Sequence, residues 1–342
     1  MKSRTFFAFV APSLALMLVF IALPLASVLR QSFYSTQGVY EQVRMETCTP
    51  GFLKQTCVEE VKTRPVLGAD GRPQTASAFV GLATYRSILQ PEAVAKAFGP
   101  GGGGISAMLD INFYAALRFT VTFTLLTLPL VIGLGLLVAL ALNSAVKSLR
   151  GPLIFVSLLP FIITPVIGAL AIRWLFAGGG IMAAAISAMA GERISLFAQG
   201  WTVELLMMLY RVWHVAPFAF IIFYAGLQTV DQDTLESAIV DGASRLERLR
   251  LVVIPHLMPL IVFVSLIHLM DAYRVFDEVV GFSSAAHRIS LQWLTFQYLT
   301  PDASGNRAIS SASASSMLTM VGIVIILVPL LVRTWRDQKP TR

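Results

Sequence analysis

Arg118, Arg173, Arg211, His214, His268, Asp271, Arg274, Asp277 and Glu278 all fall within or at the ends of long apolar stretches. A charge at the centre of a bilayer costs at least about 2.5–3.5 kcal/mol on insertion scales, so such side chains pair with one another or face a wet pathway. Asp271, Arg274 and Asp277 follow one another at intervals of three, a spacing that brings side chains together on one helix face. On a continuous helix either carboxylate can therefore pair with Arg274. The readings open to this group are an internal salt bridge, snorkelling at the membrane interface, or a polar wall along a path for a hydrophilic solute. Tyr210, Trp213, Tyr224, Tyr273 and Phe276 share the same stretches. They could stack on a flat solute face, or anchor and pack the spans.

A second constellation is polar and lies between two apolar stretches, over 231–255. Asp233 with Glu236, and Ser244 with Glu247, each place a capping residue three positions before a glutamate, the signature of a helix start. Gly242 sits between them, where a helix can end in a left-handed residue. Pro255 is then expected to stop the second helix. The reading is a small helix–turn–helix with Glu236, Ser237, Ala238, Asp241, Gly242, Ala243, Ile254 and Pro255 at its key positions. Glu236 has a competing role as the third residue of a capping box.

Other chemistries find no motif. The run Gly99-Pro100-Gly101-Gly102-Gly103-Gly104 lacks the lysine of a phosphate-binding loop and reads as a flexible loop. The four histidines, at 214, 256, 268 and 287, form no metal-ligand spacing, so no metal site is expected. No nucleophile elbow, acid pair or internal repeat is visible, and no soluble domain large enough to capture a ligand.

The elements that carry these residues must be membrane spans. The 342-residue chain is 56% hydrophobic and 13% charged, against about 25% charged in soluble domains. The net charge of +7 could suggest nucleic acid, but the basic residues flank apolar segments and read as topology signals. Six stretches, near 6–29, 113–143, 152–177, 202–227, 258–282 and 313–333, are long enough for about 30 Å of hydrocarbon. The first follows Met1-Lys2-Ser3-Arg4 and is too long for a signal-peptide core, so an uncleaved span is expected. Pro160 and Pro165 should kink the third. Ser310, Ser311, Ser313, Ser315 and Ser316, with Ala312 and Ala314, permit close helix approach in the last.

Loop charge sets the expected orientation. With a cytosolic N-terminus the inner segments hold eleven basic residues (Lys2, Arg4, Lys147, Arg150, Arg245, Arg248, Arg250, Arg333, Arg336, Lys339 and Arg342). The short outer loops hold three, Arg193, Arg288 and Arg307. Positive-inside bias therefore puts both termini and the 231–255 hairpin in the cytosol. The long segment after the first span is then external. Its two cysteines, Cys48 and Cys57, flank a Pro50-Gly51 turn signal. An oxidising compartment permits a structural disulfide between them, and two free thiols are the alternative.

The hairpin closely resembles the coupling loop of ABC-importer permeases, whose pattern is Glu-Ala-Ala, three residues to Gly, and about eleven more to an apolar-Pro pair. Here it stands as Glu236, Ser237, Ala238, Gly242, Ile254 and Pro255. A second layer of resemblance points to the carbohydrate-uptake (maltose/glycerol-phosphate-type) permease family. It rests on Phe79-Val80-Gly81-Leu82-Ala83-Thr84-Tyr85, Arg173-Trp174-Leu175-Phe176, Trp213-His214-Val215-Ala216-Pro217-Phe218, Ala225-Gly226-Leu227-Gln228 and the segment from Asp271 to Val279. The family's Gly-Gly-Pro after the fifth span is absent, and Gly281-Phe282-Ser283-Ser284 stands there.

The resemblance implies an all-α, polytopic membrane protein with six transmembrane helices and the type I ABC importer permease fold. It would comprise 1–29 with the first span, an extracytoplasmic loop 30–112, a permease core 113–333 carrying the cytosolic hairpin 231–255, and a cytosolic tail 334–342. The implied function is translocation of a sugar or sugar-like solute across the bacterial inner (plasma) membrane. The implied partners are an ABC ATPase dimer, a second homologous permease, an extracytoplasmic solute-binding protein and the lipid bilayer. No nucleic acid is expected, and no cofactor bound by this chain, ATP and magnesium being used by the ATPase. In such a path Tyr210, Trp213, Tyr224, Tyr273 and Phe276 could stack on a pyranose face, and Asp271, Arg274 and Asp277 could form a polar wall. The alternatives are a permease for a phosphorylated polyol or a polyamine, or a secondary transporter.

Overall fold

A computed structural model describes residues 3–50, 55–66, 68, 74–192, 195–302 and 306–337. Lys2, Gly51, Arg193, Lys339 and Arg342, named above, lie outside them, as do the side chains of Cys48 and Cys57. In chain order the elements are helices α1 (Ser3–Met17) and α2 (Leu23–Ser32), strands β1 (Tyr34–Gly38), β2 (Tyr40–Pro50), β3 (Gln55–Pro65) and β4 (Thr75–Phe79), then helices α3 (Ala83–Leu89), α4 (Pro91–Ala97), α5 (Ile105–Leu109), α6 (Asn112–Asn143), α7 (Lys147–Ile162), α8 (Pro165–Phe176), α9 (Ile181–Ala190), α10 (Gly200–Leu227), α11 (Gln232–Val240), α12 (Arg245–Arg248), α13 (Ile254–Tyr273), α14 (Asp277–Gly281), α15 (Leu291–Leu299) and α16 (Ile309–Asp337). The chain is thus mostly helical. Two antiparallel strand pairs, β1 with β4 and β2 with β3, are an addition to the expected all-helical reading. Val43, Thr47, Thr49, Thr56, Val58, Val61 and Thr63 supply the β-branched content that favours such pairing.

Six helical segments among the described residues are long and apolar enough to cross a membrane: Phe9–Ser32, Asn112–Asn143, Pro165–Ala190, Gly200–Leu227, Arg245–Tyr273 and Ile309–Thr334. Two differ from expectation. The stretch 152–177 is no single kinked helix. It breaks at Ile163 and Thr164, whose backbones are extended (ψ 134° and 131°). The residue before a proline is pushed out of the helical region, and Pro165 then opens α8, so the third span is Pro165–Ala190. The fifth begins earlier than 258 and ends at Tyr273, because the backbone leaves the helix at Arg274.

The chain divides into two compact units, 1–92 with 295–318, and 93–294 with 319–342. In the first, β1 adjoins α2 and meets the start of α16. Ser310 Oγ accepts from the Thr36 amide at 3.1 Å, the Thr295 and Ser315 hydroxyls meet at 2.8 Å, and Tyr85 donates to Ser32 Oγ at 2.8 Å. The small hydroxyl residues of the last span therefore serve packing and hydrogen bonding.

The second unit is built around α6 and α10. A Cβ added at Gly135 would lie 2.6 Å from Ala219 Cβ, so the two backbones touch through a position that only glycine fits. Small residues allow such contact where lipid offers no hydrophobic drive. Phe119, Phe123, Met207, Val275 and Phe282 fill one core, and Val131, Phe220, Phe223, Leu257 and Val264 fill the other. Much of α10 is buried, whereas Leu126, Leu137, Phe155, Ile167 and Ile325 are exposed, as lipid-facing positions would be.

Candidate functional site

The hairpin folds from its own capping chemistry. Asp231, and not the expected Asp233, caps α11. Its carboxylate accepts the amides of Asp233 and Thr234 at 3.3 Å each and the Thr234 hydroxyl at 2.6 Å. Both aspartates could cap by type, but only Asp231 has the extended backbone (φ −64°, ψ 123°) that an N-cap takes. Glu236 consequently sits deeper in the helix than a capping-box glutamate, and its expected capping role is not realised.

The helix ends as expected. The Gly242 amide donates to the Ile239 carbonyl at 3.0 Å and the Ala243 amide to the Ala238 carbonyl at 2.9 Å. With Gly242 at φ +80° this is a Schellman termination. Ser244 and Glu247 form the expected capping box, with Glu247 accepting from the Ser244 amide at 2.7 Å and Ser244 Oγ from the Glu247 amide at 3.3 Å. Pro255 does not stop the second helix. A π-helical turn, Leu249–Val253, carries α12 directly into α13, and Pro255 lies in the first turn of α13. There its missing N–H costs little.

Glu236, Ser237, Asp241 and Gly242 are exposed on this hairpin, with Ala238, Ala243 and Ile254 half-buried beside them. Apolar side chains stand out with them: Ile239, Val240, Leu246 and Leu251 are all more than half exposed. The chain itself leaves that surface uncovered.

Deep in the second unit, Arg211 of α10 donates to Glu278 Oε1 of α14 at 2.8 Å and also pairs with Asp271 of α13. Arg211 and Glu278 are buried, whereas the Asp271 side chain is 65% exposed. The expected pairing of Arg274 with Asp271 or Asp277 does not form among the described residues. The helix unwinds at Arg274 (φ −97°, ψ 25°), and Asp277 begins a separate helix. The face shared at intervals of three therefore does not exist, and Arg274 is exposed.

Two histidines are also buried in this unit. Thr127 Oγ donates to the Phe123 carbonyl at 2.7 Å and meets His268 Nε2 at 3.0 Å. With its proton so committed, Thr127 accepts, and His268 is the Nε2–H donor. His214 Nε2 lies 2.9 Å from the Ile163 carbonyl, to which it donates, at the break before α8. That carbonyl is one a broken helix frees, and a neighbouring span satisfies it.

The five aromatic candidates separate. Tyr210 and Tyr273 are buried at 3% and 1% exposure. The Tyr210 hydroxyl donates to the Pro165 carbonyl at 2.7 Å, and Tyr273 packs against Gly322. Both are internal packing groups, so the expected contact with a solute is not open to them. Trp213 is 43% exposed and lines a cavity of about 220 Å³ with Pro160, Pro217 and Phe220. Tyr224 is half-buried beside Phe220, and Phe276 half-buried beside Trp293.

One cluster went unread in the sequence. Glu204 of α10 accepts from Arg288 Nε at 2.8 Å and from Arg118 of α6 at 3.4 Å. The three lie 84 and 86 residues apart, so no local spacing announces them.

No family model matches the chain. It is 28% identical over 247 residues to the trehalose/maltose transport system permease protein MalF of Thermococcus litoralis, covering 71% of this chain and 75% of that one. Its fold is shared, at TM-score 0.67 and 18% identity, with a chain from a bacterial ABC transporter involved in the import of the acidic polysaccharide alginate, across 99% of this chain and 97% of the other. It is 30% identical over 207 residues to a probable ABC transporter permease protein of Pyrococcus horikoshii, covering 59% of this chain and 68% of that protein. With six apolar spans, a capped hairpin at the coupling-loop motif and this likeness, the chain belongs to the family of ABC transporter permeases, multi-pass membrane proteins that serve as non-enzymatic transport subunits.

Proposed function

We propose that this chain is one permease subunit of an ATP-driven importer for a sugar or sugar-like solute, with its hairpin and both termini in the cytosol. The observation that carries the reading is the hairpin itself. It is rigidly capped at three points, yet Ile239, Val240, Leu246 and Leu251 are left in the open. Exposed apolar groups on a firm polar frame are what a partner surface requires. The partner is an ABC ATPase dimer, which supplies the ATP and magnesium chemistry that this chain lacks motifs for. A second, homologous permease and an extracytoplasmic solute-binding protein complete the assembly. The sugar assignment is supported by the trehalose/maltose permease relative and by the residue pattern from Asp271 to Val279.

ATP can shift the spans between inward-open and outward-open arrangements only through different affinity for the two. The ATPases draw together on ATP and carry the hairpin with them. The hairpin transmits this motion because the π-helical turn joins it without a break to α13, which holds Asp271. Asp271, Trp213 and Phe276 keep enough exposure to meet a passing solute. Co-purification of the tagged chain from its native membranes in mild detergent tests the reading. An ATPase and a second permease are expected in the mass spectrum. Repeated recovery of the folded chain alone would overturn it.

A further inference from the structure

Within the second unit, at the end of α6 and α10 remote from the hairpin, a cavity of about 470 Å³ is lined by Leu109, Asn112, Ala115, Arg118 and the loop 285–289. Glu204 lies 23 residues before Leu227, or about 35 Å along α10 at 1.5 Å per residue. On the importer reading, on which this inference rests for its placement, that is the outer mouth.

The charges of this cavity are arranged unevenly. Arg118 and Arg288 form its wall, from different elements, while Glu204, which bonds both, is not among the lining residues. Glu204 is 12% exposed, and the arginines 35% and 30%. One carboxylate thus holds both guanidiniums in place. Arg288 is fixed further by donating from Nη1 to the His287 carbonyl at 3.0 Å. The cluster carries two positive charges against one negative. Planar guanidinium forks match carboxylate geometry in a way that a lysine point charge does not. The volume falls in the range of about 300–1,000 Å³ typical of small-molecule pockets.

We infer that this cavity is a binding site for a carboxylate-bearing solute of about monosaccharide size, with Arg118 and Arg288 as its ligands and Glu204 as the residue that positions them. The solute class is then an acidic sugar, taken at the mouth before it enters the path.

Binding is read on the full chain in lipid nanodiscs without any ATPase, so that its outcome is separate from that of the importer reading. The probe is D-glucuronate, with D-glucose as the neutral molecule of the same shape. Glucuronate is expected to bind at least tenfold tighter than glucose, and more weakly as salt rises. Arg118→Gln and Arg288→Gln should each remove the preference. Ala115→Phe, which fills the cavity and leaves every charge in place, should abolish binding of glucuronate while the chain remains monodisperse. Equal affinity for the two sugars, or glucuronate binding unchanged in Arg288→Gln and Ala115→Phe, would overturn the site.

Discussion

Arg211 Nη1 donates to Glu278 Oε1 at 2.8 Å, and the two side chains are 6% and 1% exposed. This pair ties α10 to the short helix α14, on the far side of the break at Arg274. Removing one partner of a buried pair leaves an uncompensated charge and costs about 3–5 kcal/mol, whereas replacing both with apolar residues is often neutral. Arg211→Met should therefore lower the apparent melting temperature in detergent sharply. Arg211→Met with Glu278→Met should recover most of the loss. A single variant that melts with the wild type would show that the pair contributes nothing to stability.

The packing of α6 on α10 gives a second prediction. Gly135 meets Ala219 Cβ, the Phe220 amide and the Ala216 carbonyl within 3.2 Å of where a Cβ would stand. Two of these are backbone atoms and cannot swing aside. Gly135→Val should destabilise the bundle by about 1–3 kcal/mol through overpacking. Gly133, two residues earlier and on another face of α6, has open space around its Cβ position, so Gly133→Ala should not lower the melting temperature. Equal effects at the two glycines would argue against close contact at this seam.

These two relationships also mark where sequence reasoning stops. Apolar length places the spans, and Gly242 and the Ser244–Glu247 pair announce the hairpin because their signals are local. Arg211 and Glu278 were each visible as charged residues in apolar surroundings. Their partnership was not, since it joins positions 67 residues apart. Local spacing pointed instead to Arg274, and failed because an unwound residue breaks the helix face on which spacing depends. The cap fell to Asp231 and not Asp233 for the opposite reason: two residues of the same capping type lie two positions apart, and backbone conformation alone chooses between them. Glu204 stands near a span end, where a charge looks ordinary until Arg118 and Arg288 arrive from elsewhere.

The β2–β3 strand pair makes a covalent prediction. Antiparallel register sets Cys48 of β2 directly opposite Cys57 of β3, and Cβ atoms of directly opposed residues lie about 4.5–5.5 Å apart. A disulfide needs about 3.5–4.5 Å between Cβ atoms, a small adjustment in a twisted two-stranded ribbon. Peptide mapping without reductant should recover the two cysteines as one linked species. Complete alkylation of both without reduction would exclude the bridge.

The first hairpin cap should respond to acid. The Thr234 hydroxyl, followed by the amides of Asp233 and Thr234, holds the Asp231 carboxyl below the usual carboxylate range. A depressed folded value means that the cap's contribution is fully present above the unfolded value of about 3.9. It is lost as pH falls through the lower, folded one. Hydrogen-exchange protection at the start of α11 should accordingly be flat from neutral pH to about pH 5 and decline below about pH 4. Asp231→Asn, which retains an acceptor without the titration, should flatten the profile. A decline of the same size in that variant would assign the acid response to another group.

Coupling supplies the last prediction, and Gly242 is where it can be separated from folding. Its φ of +80° ends α11 and turns the chain into α12, and no atom lies within 4 Å of the position a Cβ would take. A side chain there meets no clash, only the left-handed backbone cost of about 1–2 kcal/mol. That cost falls on an exposed turn that packs against nothing, so membrane insertion should be untouched. The two hairpin helices would change their relative angle, and with it the spacing of Ile239 and Val240 from Leu246 and Leu251. Gly242→Asp, which adds a negative charge beside Asp241 as well, should leave the protein at normal levels in the membrane while ATP-driven uptake falls at least tenfold. Gly242→Asn should retain more uptake, because asparagine tolerates the left-handed region better than most residues. Normal uptake by Gly242→Asp would remove the hairpin's geometry from the coupling mechanism.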